Sequence, residues 1–161
     1  MNLYIIRHAD AGDPKQWQID DAARPLSALG QKQAGALGEA FKRQGIVLQA
    51  VVSSPLVRTR QTAEGIMAAL GIAGEPTFSE LLEPGAMRPR KLSTELAELK
   101  VDSVAIVGHD PDMPNYLCWL LGLEQRQLYL EKCAVACVQF EVEPDKGEGT
   151  LGWFVTPEWF C

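Results

Sequence analysis

The sequence contains little histidine, no closely spaced cysteine pair and no long apolar segment. Its only two histidines are His8 and His109. No Cys-x-x-Cys pair occurs, so a zinc site is not expected, and the thiols are expected to be reduced, as in cytoplasmic proteins. The four cysteines are Cys118, Cys133, Cys137 and Cys161. No segment approaches the ~20 apolar residues of a membrane helix, and no export signal is expected before Arg7.

The charge balance excludes some partners. A formal net charge of −6 argues against nucleic acid, whose binding depends on basic surfaces. It also means that any chemistry on phosphate must use a local cationic cleft. The chain of 161 residues is expected to form a single soluble, cytoplasmic domain over residues 1–161, with no membrane partner.

Three short apolar runs predict buried strands. These runs are Leu3–Ile6, Ala50–Val52 and Val104–Val107. Uniformly apolar runs of this length are typical of parallel strands with helices on both faces. Near the end of the chain, Val138, Phe140 and Val142 alternate with polar residues, which predicts a half-exposed strand. A polar turn over 144–149 then predicts a hairpin with the next apolar run.

Helical patterns lie between these strands. Ser27 is a candidate N-cap for the first helix, although Gly30 and Gly38 weaken that prediction. An apolar stripe ending at Gly71 predicts a second helix, and Pro114 suits the first turn of a later one. The predicted order is β-α-β-α-loop-α-β-α-β-β. The fold class is therefore an α/β, three-layer α/β/α sandwich with a mostly parallel sheet.

The chemistry-bearing residues follow the predicted strands. His8 and Arg7 end the first strand, Ser54 and Arg58 follow the second, and His109 follows the Val104–Val107 strand. Sites in open α/β sheets form beyond the carboxyl ends of the strands, so these residues are expected to meet. Each histidine taken alone is equally compatible with a structural role, and a metal site would lack further ligands.

Imidazole and guanidinium groups together suit phosphoryl transfer. A neutral imidazole is a competent nucleophile, and arginine binds phosphoryl oxygens through charge-assisted hydrogen bonds. Donors aimed at those oxygens stabilise the charge of the transition state. Arg58 also lies near a predicted helix N-terminus, where a cation is unfavourable unless an anion binds nearby. Ser54 precedes the same helix and is a second candidate for substrate binding.

Four ordered segments resemble the histidine phosphatase superfamily, whose fold is phosphoglycerate mutase-like. They are Arg7-His8-Ala9-Asp10-Ala11, Arg24-Pro25-Leu26-Ser27, Ser54 to Ala63, and Val107-Gly108-His109-Asp110-Pro111. The short chain and the Arg-Pro-Leu-Ser segment are similar to the SixA-type phosphohistidine phosphatase branch. The resemblance implies that His8 becomes phosphorylated and that Arg7, Arg58 and His109 complete the phosphate pocket. It implies no large lid, and no cofactor or metal is expected.

Other roles stay open at this stage. Arg24 is a candidate substrate-binding residue or a brace for the loop before Ser27. Glu83 and, after it, Asp10 are the candidates for a general acid, which a phosphoramidate substrate needs less than an ester. Trp17 either contacts a substrate or covers the sheet.

The predicted function is a metal-independent phosphohydrolase acting on a phosphorylated protein, such as a histidine phosphotransfer domain. One alternative is a phosphatase or mutase of a small phosphate ester. The mutase is disfavoured because it must exclude water beneath a closed lid. Another alternative is a non-catalytic phosphoprotein-binding module, which would not need a nucleophile.

Overall fold

The computed structural model describes all residues, Met1–Cys161, and shows a six-stranded sheet between two pairs of helices. The strands are β1 (Asn2–Arg7), β2 (Ala50–Ser53), β3 (Thr77–Phe78), β4 (Ser103–Gly108), β5 (Val135–Gln139) and β6 (Thr150–Val155). The helices are α1 (Ala28–Arg43), α2 (Val57–Leu70), α3 (Pro89–Glu98) and α4 (Asp112–Leu120). The α/β/α sandwich and the element order are as predicted, with β3 added. No helix is both long and apolar enough to cross a membrane.

The sheet order places three strand ends next to one another. The strands follow the order β3-β2-β4-β1-β5-β6, and β2, β4 and β1 are parallel neighbours. Arg7 pairs with Gly108, and Ser53 pairs with Val107. The residues that follow β1, β2 and β4 therefore emerge together at one edge of the sheet.

Each face of the sheet supports its own core. Tyr4 and Ile6 of β1 pack with α1 and α2, whereas Leu3 and Ile5 pack with α3 and α4. Successive side chains of a strand point to opposite faces, so a strand buried on both sides must be apolar throughout. All four residues are at most 5% exposed, which explains the unbroken apolar runs.

Local signals set the ends of the helices. The Ser27 hydroxyl accepts a hydrogen bond from the Gly30 N–H, which satisfies one free donor of the first turn of α1. Gly71 adopts the left-handed conformation after α2, with φ of 71°. Pro114 lies in the first turn of α4, where its missing N–H costs nothing. These three predictions are confirmed.

The glycines of α1 serve close packing. A Cβ at Gly30 would collide with the Asp10 carbonyl oxygen. A Cβ at Gly38 would lie 2.7 Å from the Ile66 carbonyl oxygen of α2. α1 nevertheless runs unbroken for 16 residues, because burial against neighbouring segments outweighs the helix propensity lost at glycine.

The prediction of a half-exposed strand over residues 138–143 is wrong in its extent. β5 ends at Gln139, and its residues from Val135 to Val138 are all buried. The strand lies between β1 and β6 and is covered on both faces. Val142 lies beyond its end, in the following turn, and is 71% exposed. The predicted hairpin is confirmed, since β5 and β6 pair antiparallel.

Candidate active site

His8 directly follows β1 and is 7% exposed. Its Nδ1 lies 2.7 Å from the Ala9 carbonyl oxygen. A carbonyl oxygen can only accept, so Nδ1 carries the proton and Nε2 keeps its lone pair. Burial lowers the pKa of His8 to about 4, and the nearby Arg58 and Arg7 charges act in the same direction. The ring is therefore neutral at pH 7, the state that a nucleophile requires.

His109 stands beside this ring at the end of β4. The two ring centroids are 5.3 Å apart, and His109 is 2% exposed. Its Nε2 lies 3.0 Å from the Ser54 hydroxyl, whereas its Nδ1 is buried without a hydrogen-bond partner. Burial lowers the pKa of His109 to about 3, helped by His8 and Arg58. Ser54 is fully buried and thus contacts His109 from beneath the site.

Arg7 contributes a guanidinium that is held on one side only. Its Nη1 donates to the Leu130 carbonyl oxygen at 2.8 Å and lies 3.4 Å from the Tyr129 hydroxyl. The same nitrogen lies 3.9 Å from an Asp110 carboxylate oxygen. Its Nε is buried and has no partner.

Arg58 and Arg24 share one carboxylate. Nη2 of Arg58 lies 3.1 Å from Asp21 Oδ2, and its Nη1 donates to the Asp21 carbonyl oxygen at 2.8 Å. Nε of Arg24 donates to Asp21 Oδ1 at 2.7 Å, and its Nη1 donates to the Ala11 carbonyl oxygen at 2.7 Å. The guanidinium contacts lower the pKa of Asp21, with Arg24 contributing most. Both arginines are less than 10% exposed.

Unpartnered polar atoms concentrate at this one place. Four buried side-chain polar atoms lack a hydrogen-bond partner, and three of them are Arg7 Nε, Arg58 Nε and His109 Nδ1. Buried donors without partners are costly, so native structures rarely retain them. Two guanidinium N–H donors and one imidazole nitrogen left open in the same site indicate that an acceptor-rich anion completes it.

α2 also supports the segment after the nucleophile. The Ala9 N–H donates to the Thr62 hydroxyl at 3.1 Å, and that hydroxyl donates to the Arg58 carbonyl oxygen at 2.7 Å. On the other side, the Cys133 N–H lies 3.1 Å from the carbonyl oxygens of both Arg7 and His8. These contacts hold the backbone of the strand end in one conformation.

Comparison with known proteins identifies the family. The family model described as "Histidine phosphatase superfamily (branch 1)" matches residues 3–83, half of the chain. An uncharacterized protein of Picosynechococcus is 32% identical over 118 residues, which cover 72% of this chain and 70% of that protein. Phosphohistidine phosphatase SixA of Escherichia coli is 27% identical over 161 residues, covering 98% of this chain and 94% of its own. The chain belongs to the histidine phosphatase superfamily, in its SixA-type branch.

The fold agrees with this assignment over the full length. A solved structure of the protein histidine phosphatase SixA complexed with tungstate superimposes with a TM-score of 0.86 and 25% identity, covering 100% of both chains. The phosphoglycerate mutase-like fold is thereby confirmed. The family match and the likeness to SixA support phosphatase activity, which is the reaction class predicted from the four motifs.

The two general-acid candidates of this histidine phosphatase lie in different settings. Asp10 Oδ1 lies 2.6 Å from Lys132 Nζ, and its Oδ2 accepts from the Ser27 hydroxyl at 2.6 Å. Burial would raise the pKa of Asp10, but these hydrogen bonds and that from the Gly12 N–H prevail and lower it to about 2. A carboxylate so strongly held in the ionised form is a poor proton donor.

Glu83 has no such restraint. It ends a short turn, Glu80–Leu82, and its carboxylate makes no hydrogen bond or ion pair within the chain. The Leu82 carbonyl oxygen lies 3.6 Å from the position that a Cβ of Gly108 would occupy. The Gly85 N–H donates to Asp112 at 2.6 Å, at the start of α4. The turn thus borders the end of β4, next to His109.

Sequence reasoning did not identify three contributors to this part of the histidine phosphatase. Asp21 lies three residues before Arg24, a spacing that suits an ion pair and could have suggested the contact. Lys132 and Tyr129 are more than 120 residues from their partners Asp10 and Arg7, and no local pattern marks them. Trp17 donates through its indole N–H to the Asp20 carbonyl oxygen and so braces its own loop.

Proposed function

We propose that this phosphatase hydrolyses phosphoryl groups through a covalent phosphohistidine intermediate on His8, and that its substrate is phosphohistidine on a protein. The observation that carries the proposal is the combination at one strand edge of an unprotonated His8 Nε2, two buried and unpartnered guanidinium donors, and the unpartnered Nδ1 of His109. His8 Nε2 supplies a nucleophile, and the unpartnered polar atoms supply a binding site for a phosphoryl group.

The reaction follows from these groups. The lone pair of His8 Nε2 forms a bond to phosphorus while the bond from phosphorus to the leaving nitrogen or oxygen breaks, and the leaving group takes that electron pair and a proton from Glu83 or from solvent. Water then attacks phosphorus and gives up a proton to Glu83 or to solvent, the bond to Nε2 breaks with its electron pair returning to the ring, and inorganic phosphate leaves. Arg7, Arg58 and His109 stabilise the charge on the non-bridging oxygens in both steps. In this scheme the second imidazole gains basicity when an anion binds beside it.

Ser54 and Arg24 have supporting roles in the proposal. The buried hydroxyl of Ser54 orients His109, so it acts on the phosphoryl group through that ring. Arg24 connects the Ala11 carbonyl oxygen to Asp21, and its charge lies close enough to lower the pKa of His8. Arg24 therefore braces the loop and adds positive potential to the pocket.

The protein substrate is supported by the exposure of the pocket's surroundings. Tyr129 contacts Arg7 and is 65% exposed, and the Asp21 side chain that contacts Arg58 is 54% exposed. A site whose nearest neighbours reach solvent can receive a phosphorylated side chain on a folded partner. The relative from Escherichia coli bears the name phosphohistidine phosphatase, which points to the same substrate class.

Metal independence belongs to the same proposal. Both imidazoles of the site are neutral, so the guanidiniums of Arg7, Arg58 and Arg24 supply the positive charge that a metal ion provides elsewhere. Such a set repels a divalent cation. We expect that incubation with EDTA, followed by its removal, leaves the rate within about twofold. Loss of activity that zinc, magnesium or manganese restores would contradict this part.

The intermediate is tested by trapping. Wild-type protein is mixed briefly with ³²P-labelled phosphohistidine protein, quenched in alkali and digested. We expect an acid-labile, base-stable label on His8 and none in the His8→Ala variant, with His109→Ala as the matched histidine control that still accepts label slowly. Turnover by the wild type with label on another residue, or with no trapped label, would refute the mechanism.

The substrate class is tested by comparing rates. kcat/KM is measured on a phosphohistidine protein and on a panel of small phosphate esters under the same conditions. A preference of at least about a hundredfold for the phosphohistidine protein is expected. A preference for one ester would favour a metabolite phosphatase, transfer to a second ester would favour a mutase, and binding without turnover would favour a non-catalytic module.

A further inference from the structure

Asp21 contacts both Arg24 and Arg58. It lies in the short turn Asp21–Ala23, which begins after Asp20. Its carboxylate contacts Arg58 Nη2 and Arg24 Nε through different oxygen atoms, and its backbone carbonyl accepts from Arg58 Nη1. Neither the family motifs nor the mechanism above uses this residue.

We propose that Asp21 is a positioning residue that orients the Arg58 guanidinium toward the phosphoryl group. This inference rests on the proposed function of the same site. Asp21 holds both terminal nitrogens of Arg58, whereas Arg58 Nε stays buried and unpartnered. Two contacts at one end of a planar group fix the direction in which its remaining N–H points. The Nε–H of Arg58 is then held ready to donate to a phosphoryl oxygen, because the side chain is already fixed in one rotamer.

In an alternative hypothesis, the Asp21 carboxylate occupies the phosphate-binding position and is displaced when the substrate binds. The geometry favours positioning, because Asp21 leaves the buried Nε of Arg58 untouched. The backbone carbonyl contact could not be released by moving the side chain alone. Asp21 also lies between two guanidiniums that repel each other: burial and the Arg24 charge lower the pKa of Arg58, whereas the Asp21 charge raises it. Removing the Asp21 carboxylate would leave Arg58 held through Nη1 alone, so its guanidinium would be less well oriented.

The chain offers a matched control in the preceding residue. Asp20 accepts a hydrogen bond from the Ala22 N–H at the start of the same turn and contacts no arginine. Asp20→Ala therefore disturbs the turn, whereas Asp21→Ala removes the contact with the guanidiniums. Both variants keep the backbone carbonyls. The measurements are kcat and KM for p-nitrophenyl phosphate, and the inhibition constant of inorganic phosphate.

We expect Asp21→Ala to lower kcat/KM about tenfold and to raise the inhibition constant of phosphate at least about threefold, because Arg58 is held less well. Asp20→Ala should leave both within about twofold. A lower inhibition constant in Asp21→Ala would show that the carboxylate competes with phosphate, and it would overturn the proposal. An equal loss in Asp20→Ala would assign the effect to the turn and would also overturn it.

A double-mutant cycle separates an action through Arg58 from any other action. In the Arg58→Ala background, measured at high enzyme concentration, Asp21→Ala should lower kcat/KM by less than about threefold. A loss of threefold or more in that background would overturn the proposal. The affinity of each variant for inorganic phosphate is measured independently by calorimetry. This binding readout stays informative even if the label on His8 is never found, so failure of the proposed function is distinguishable from failure of this inference.

Discussion

His109 Nε2 lies 3.0 Å from the Ser54 hydroxyl, and this contact joins the ends of two neighbouring parallel strands, β4 and β2. Both residues are buried, so the hydroxyl fixes the orientation of an imidazole that would otherwise rotate freely. The contact engages Nε2 of the ring in holding His109 in place, and it leaves Nδ1 without a hydrogen-bond partner.

Ser54→Ala should lower kcat/KM by about fivefold, because one buried hydrogen bond of ~1 kcal/mol orients His109. The matched control is Ser53→Ala, since Ser53 is equally buried but donates only to the Ser54 carbonyl oxygen. That control should alter stability more than rate. Equal rate losses in the two variants, measured on p-nitrophenyl phosphate, would remove Ser54 from the site.

Arg58→Ala should lower kcat/KM by at least about a hundredfold, since it removes a desolvated donor to the transition state. Arg60→Ala is the comparison on the same helix. Arg60 is exposed and pairs with Glu64 at 3.5 Å, so its loss should change the rate by less than about twofold. Similar rates for wild type and Arg58→Ala would exclude Arg58 from the phosphate pocket.

Glu83→Gln tests the general acid through the leaving group. An alkyl phosphate needs a proton on its departing oxygen, so its kcat should fall by about a hundredfold. A phosphohistidine substrate and p-nitrophenyl phosphate leave more readily and should lose less than about threefold. Glu80→Gln, an exposed acid in the same turn, serves as the control. A uniform loss across leaving groups would argue against proton donation by Glu83.

Between about pH 6.5 and 5, the pH dependence of stability should come mainly from the two histidines. The folded protein has the pKa of His8 lowered to about 4 and that of His109 to about 3, whereas both are near 6.5 when unfolded. In this window the unfolded chain binds protons that the folded chain does not. Stability is therefore complete above pH 6.5 and falls as the pH falls through the window.

Urea unfolding at several pH values measures this dependence. Each histidine contributes up to about 1.4 kcal/mol per pH unit to the slope. The double variant His8→Asn, His109→Asn should therefore have a much flatter profile from pH 6.5 to 5, where carboxylates are still ionised. The chain has no other histidine to complicate the comparison. An unchanged slope in the double variant would show that neither imidazole is held neutral by burial.

Gly30→Ala should destabilise the fold by about 2 kcal/mol, because its methyl group would collide with the Asp10 carbonyl oxygen. Gly35→Ala in the same helix meets nothing within 4 Å and should stabilise by ~0.5–1 kcal/mol. Thermal unfolding of the two variants checks both signs. Because Asp10 is two residues after His8, Gly30→Ala should also reduce activity. An unchanged or higher stability of Gly30→Ala would show that α1 can move away from Asp10.

Local patterns were sufficient for most of the fold. The unbroken apolar runs marked the central strands because those strands are buried on both faces, and Ser27 and Gly71 marked helix ends because cap chemistry is local. The end of β5 was misjudged for the same reason. Alternation of Val138, Phe140 and Val142 resembles a half-exposed strand, and only the positions of β1 and β6 decide where pairing stops.

The sequence by itself determined which groups meet at the site, because parallel strands deliver their carboxyl ends to one edge and three of the four motifs follow those ends. That order of strands and motifs was enough to predict that His8, Arg7, Arg58 and His109 lie together. Only the tertiary structure decided how each group is held. The proton on His8 Nδ1, the low pKa of Asp10 beside Lys132 and the contact of Asp21 with Arg58 all depend on distances between residues that no local spacing encodes.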